Sequence, residues 1–81
     1  MKLIWVKEAK LTLLETADYI QKEFGRWARR KFMQEVHRVE TLLRDNPNLG
    51  PVEPLLEGHA ILYRSIVVNR LNKIVYCIAD G

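Results

Sequence analysis

Among the side chains of this 81-residue chain whose types could do chemistry, Arg64 and Lys73 are a pair whose spacing suits it. They belong to two β-prone runs separated by the polar connection Asn69-Arg70-Leu71-Asn72, a pattern that predicts a hairpin. With Val68 opposite Lys73, one face carries Leu62, Arg64, Ile66, Val68, Lys73, Val75 and Cys77. Arg64 and Lys73 then lie two rungs apart on that face, about 13 Å along the strands. Two cations so placed would hold the phosphates on either side of one gripped or scissile nucleotide. The alternative is that each aliphatic stem snorkels its charge outward from a half-apolar surface.

A second constellation is Arg26-Trp27-Ala28-Arg29-Arg30-Lys31. Four cations in the opening turns of a helix oppose its dipole, costing roughly a few tenths of a kcal/mol each, and a solvated surface tolerates that. The functional reading is a cationic ridge of Arg26, Arg30 and His37, with Trp27 as an aromatic anchor facing an acidic or nucleic-acid partner. Other candidates carry less. Ser65 has no evident base partner, His37 falls on the solvent side of a helix, and nothing near His59 marks it as a general base. Glycine-rich phosphate loops, HExxH and GxSxG are absent. The lone Cys77, expected to be a small buried apolar residue, excludes an intrachain disulfide, and no Cys/His spacing suits a metal. No metal or cofactor is expected.

The elements that must position these residues follow from periodicity. Residues 2–6 (KLIWV) form a short β-prone run suited to a parallel or central strand. From Lys7, residues Ala9, Leu13, Ala17, Ile20 and Phe24 recur at helical spacing with Leu14 beside them, and Asp18 with Lys22 makes an i,i+4 pair. Gly25 stops this helix. A second runs from about Arg26 to Asp45 on a stripe of Ala28, Phe32, Val36, Val39 and Leu43, with Glu40 and Arg44 paired, and must fold back as an αα-hairpin. Asn46-Pro47 ends it. Residues 48–59 form a proline-stiffened loop that Leu49, Val52, Leu55 and Leu56 should fasten to the core. The order is β-α-α-β-β: one α+β domain, a helical hairpin packed on a small, mainly antiparallel sheet.

The second hairpin face would carry Tyr63, Ser65, Val67, Ile74, Tyr76 and Ile78. Both faces would thus be apolar, which calls for a partner, a second copy or further sequence to cover one of them. The final Asp80-Gly81 is a turn signal with no strand after it. Composition fits a soluble globular domain: 48% hydrophobic, 28% charged, with a formal net charge of +3 and pI near 9.2. The mild basicity favours an acidic or nucleic-acid partner. The N-terminus is neither a signal peptide nor a membrane span, so a cytoplasmic location is expected.

Taken together, IWVKEAKLTLLETADYI, EFGRWARRKFMQEV, NPNLGPVEPL and YRSIVVNRLNKIVYCI resemble the ParE/RelE toxin superfamily of type II toxin–antitoxin systems, over essentially the whole chain. The two long helices look more like the ParE branch, the plasmid-stabilisation proteins. The resemblance implies a β-α-α-β-β-β fold and a toxin neutralised by a cognate antitoxin (ParD/RelB-like) wrapped around it. ParE-like members are thought to inhibit DNA gyrase. RelE-like members cleave mRNA on the ribosome, and Arg64 falls where they carry a lysine, Lys73 where they carry a catalytic arginine. Charge is kept and fork geometry is not. Family members continue into a final strand with a basic motif where this sequence ends, so the resemblance implies an exposed sheet edge. Partner-binding candidates are Arg26, Trp27, Arg30, Ile66, Val68 and Val75. A third reading is a nontoxic module that binds antitoxin, or a homodimer formed through that edge.

Overall fold

A computed structural model describes residues 2–79 of the chain. Helix α1 spans Lys7–Phe24 and helix α2 spans Arg26–Asp45, as the periodicity predicts, with Gly25 alone between them. Gly25 takes φ +94°, a backbone region that a Cβ disfavours, while its amide donates to the Gln21 carbonyl at 2.8 Å. One residue therefore closes α1 and reverses the chain. The helices bury Ala17 and Ile20 of α1 against Phe32, Val36, Val39 and Leu43 of α2. Asp18 bonds Arg29 of the facing helix rather than Lys22, so the expected intrahelical pair is replaced by an interhelical one. Phe24, expected on the apolar stripe, is exposed, and so is Leu14.

Strands β1 (Arg64–Val68) and β2 (Asn72–Tyr76) form a two-stranded antiparallel sheet, and β1 packs on α2. The register pairs Val68 with Asn72, Ile66 with Ile74 and Arg64 with Tyr76, one residue away from the expected Val68–Lys73 pairing. The connection explains the difference. It is three residues, Asn69-Arg70-Leu71, with Asn69 and Arg70 at φ 53° and 64°, instead of four. A slip of one residue exchanges the faces of a whole strand. Ile66, Val68, Ile74 and Tyr76 consequently pack toward the helices, with Val68 only 1% exposed. The outer face carries Ser65, Val67, Lys73 and Val75, so it is mixed rather than apolar. That corrects the expectation of two apolar faces, and it is the division an antiparallel sheet covered on one side should show.

Residues 2–6 make no strand. They are extended, with Leu3 and Trp5 turned to the core and Ile4 and Val6 exposed, but no described residue supplies a backbone ladder. What holds them is packing and a bond from Trp5 Nε1 to Glu40 Oε2 at 2.9 Å. The described architecture is therefore α-α-β-β, an α+β fold without the expected first strand. Cys77 follows β2 and is exposed, not buried. The Asp80-Gly81 turn lies outside the described residues.

The loop before β1 is fastened differently from expectation. Leu49 and Leu55 are exposed. Backbone bonds hold it instead: the Ser65 amide to the Pro51 carbonyl at 3.0 Å, the Glu53 amide to the Tyr63 carbonyl at 2.9 Å, and a single bridge from Val52 to Arg64. The loop thus lies along the edge of β1 not used by β2, before a short 3₁₀ turn at Pro54–Leu56. Tyr76 ties down its start, donating to the Pro47 carbonyl at 2.8 Å and accepting from the Gly50 amide at 2.9 Å.

Gly50 sits where no side chain fits, since a Cβ there would come within 2.5 Å of the Ser65 carbonyl oxygen and 3.0 Å of the Tyr76 ring. The obstructing atom is backbone and cannot swing aside. Gly50→Ala should therefore lose about 1–3 kcal/mol, the usual cost of forcing atoms into a packed site. Urea denaturation checks this as a lowered midpoint at constant slope. An unchanged midpoint would show that the loop can move away from β1 at no cost.

Candidate cationic site

The one-residue register difference decides the fate of the two cations. Arg64 and Tyr76 share a cross-strand pair on the helix-facing side, whereas Lys73 pairs with Val67 on the outer side. The expected common face for Arg64 and Lys73 is thereby corrected: they point to opposite sides of the sheet. Each also has a partner within the chain. Arg64 is half-buried and donates from Nη1 to the Gly50 carbonyl at 2.8 Å. Beside it opens a shallow cleft lined by Asn48, Ile61, Leu62 and Ile78. Lys73 places its Nζ 2.9 Å from both carboxylate oxygens of Glu53.

Glu53 is the functional-looking residue that sequence reasoning passed over. It is only 2% exposed, the largest fully buried side chain in the described chain. A carboxylate that is buried and ionised needs compensation on every oxygen. Here the Ser65 hydroxyl and the Lys73 ammonium supply most of it, with the Leu55 amide donating at 3.3 Å. Ser65, first, and Lys73, second, hold the Glu53 carboxyl below the usual glutamate range against the opposing effect of burial. The signal available in sequence was weak: a lone acid between Val52 and Pro54 in a segment otherwise apolar or proline. Ser65, set aside as a nucleophile, has its role in this cluster.

The basic surface at the start of α2 is less committed. Trp27 is 78% exposed, and the Arg30 guanidinium lies 5.7 Å from its ring centre, a cation–π pair on the surface. Arg26 is exposed beside them. Arg29 turns the other way, to Asp18 and Gln21. His37 is exposed, with Nδ1 3.1 Å from Glu40 Oε1. Of the three sheet residues expected to meet a partner, Val75 is exposed on the outer face with Val67. Val68 is in the core, which takes it away from any partner surface, and Ile66 is half-buried against the core. No described group of three or more His, Cys, Asp or Glu side chains could hold a metal ion, and no described helix is long and apolar enough to cross a membrane.

No family model, no curated protein and no solved structure matches the chain.

The cluster makes stability depend on acid in a defined direction. A carboxyl whose folded pKa lies below its unfolded value of about 4.3 contributes stability that is complete above that unfolded value and is lost as pH falls through the folded one. Thermal denaturation of the wild type should therefore show a falling Tm below about pH 4.5. Glu53→Gln should lower Tm at neutral pH and flatten that acid slope. If the slope survives unchanged in Glu53→Gln, the acid sensitivity has another source.

Proposed function

We propose that this chain is the toxin component of a type II toxin–antitoxin system, in which it binds and inhibits an essential target and is neutralised by a cognate antitoxin. The target favoured is DNA gyrase, as in the ParE branch. What supports inhibition by binding over ribonuclease action is the separation of Arg64 and Lys73. For two cations to stabilise the charge that develops on a phosphate undergoing scission, both must reach that one phosphate. Here one cation is on each side of the sheet, and Lys73 is neutralised by Glu53. The helical hairpin followed by an antiparallel β-hairpin agrees with the middle of the order the family implies, and the exposed aromatic-basic start of α2 suits a binding surface, since aromatic and arginine side chains are the usual anchors of protein interfaces.

A second reading has its own observation. Among the described residues, β2 has no neighbour on its outer edge, and Val67 and Val75 stand exposed on the outer face. An unpaired edge is a template for strand addition, so a nontoxic antitoxin-binding or dimerising module fits it.

Induced expression without antitoxin separates these readings. Growth arrest with inhibition of gyrase supercoiling by the purified chain is the expected result. Arrest accompanied by ribosome-dependent mRNA cleavage that is lost in Lys73→Ala would replace gyrase inhibition with the RelE-like endoribonuclease. Unaffected growth, with the chain present and folded, would favour the nontoxic module.

A further inference from the structure

Helix α2 opens on RWARRKFMQ, a run with four cations, one tryptophan and no acid. The helix buries Phe32, Val36, Val39 and Leu43, and that stripe fixes which way the other side chains point. Arg29 turns to α1, where it bonds Asp18 and Gln21. Arg26, Trp27, Arg30 and Lys31 are exposed. Arg26 with Arg30, and Trp27 with Lys31, are one helical turn apart, so the four share the outward side of the helix.

Three observations give this face a direction. None of Arg26, Arg30 and Lys31 has an ion-pair partner among the described residues. The acids that follow along α2 are engaged elsewhere: Glu35 bonds Arg38, while Glu40 bonds Trp5 and faces His37. His37, expected on the same ridge, is therefore not counted with the three. Finally, Trp27 is 78% exposed with the Arg30 guanidinium 5.7 Å from its ring centre. An aromatic surface and a forked phosphate donor are thus held side by side.

We infer that this face of α2 binds single-stranded nucleic acid without sequence preference, one base stacking on Trp27 while Arg26, Arg30 and Lys31 hold the phosphates around it. A π-surface next to several cations is the combination that grips a strand whose bases are free to stack. Arg26 and Arg30 are about 6 Å apart along the helix axis, so they offer successive contacts to a backbone laid along the face. An acidic protein suits the face less well. A protein anchor is ordinarily ringed by side chains that exclude water, and on this face Trp27 has Arg26, Arg30 and Lys31 around it. A lipid surface would want an apolar face on the helix, and α2 turns its apolar face to the core. Arg64 and Lys73 take no part, so the inference stands apart from the toxin reading.

The test uses the full chain and fluorescence anisotropy of labelled oligothymidylate and oligouridylate, titrated over a series of salt concentrations. The expected result is saturable binding whose logarithm falls with log salt at a slope of about −2, the value for three phosphate contacts on a single strand. Trp27→Ala should weaken binding roughly tenfold, and Trp27→Phe should keep most of it. Arg26→Gln and Arg30→Gln should each weaken every sequence alike and reduce the slope by about 0.7. Bound strand should quench tryptophan fluorescence in the wild type and much less in Trp27→Phe. These positions are exposed, so circular dichroism should show the variants folded. No binding at low salt, or equal affinity for a duplex, would overturn the assignment. So would unchanged affinity in Trp27→Ala, or loss of binding in Lys73→Ala with the chain folded. Displacement of the strand by polyglutamate at equal charge would give the face to an acidic protein, and displacement by phosphatidylglycerol vesicles would give it to a lipid surface.

Discussion

A carboxylate with almost no solvent contact is the constraint on which the sheet side of this protein depends. Glu53 can stay ionised where it is only if Ser65 and Lys73 remain on the same side of the hairpin and within reach. That requirement ties three segments together: the proline-stiffened loop, β1 and β2. In any register that moved Lys73 to the helix-facing side, Glu53 would be left buried and unpaired, the costliest arrangement available to a carboxylate. The ion pair therefore favours the register that is observed.

On the opposite side of the same hairpin, apolar packing makes the same choice independently. Val68 enters the core formed by Val36, Val39 and Leu43, and Ile66, Ile74 and Tyr76 line up behind it. Tyr76 then reaches past the core to the loop, its hydroxyl serving Pro47 and Gly50 at once. The polar and apolar sides of the sheet agree on one alignment, and agreement of independent interactions is what gives a sequence a single fold. In a domain this small, with a core drawn from so few side chains, that agreement matters more than any one contact.

The same economy has a functional side. Arg64 and Lys73 are the cations sequence reasoning favours for chemistry, and both are engaged in holding the loop to the sheet. Around the helix bend, Trp27 with Arg30, Phe24, Lys31 and the turn residue Leu71 are exposed instead.

How much of this was legible beforehand varied with the range of the interactions. The helices, their single-glycine junction and the buried stripe of α2 were plain in the sequence, because helical periodicity and a glycine stop are local properties. Likewise the hairpin was visible from its two β-prone runs. Its register was not, since that turned on whether the connection took three residues or four, with Asn69 and Arg70 both in left-handed backbone. Residues 2–6 have strand propensity, yet a strand exists only where a neighbour offers its backbone, and propensity cannot supply one. Glu53 looked like an ordinary loop acid, because burial and partners 12 and 20 positions away leave no mark on its immediate neighbours. By itself the sequence determined the elements and the residue types on each. Only the tertiary structure decided which of those residues face one another, because a two-residue side-chain period turns a single-residue difference in the turn into a different pair of surfaces.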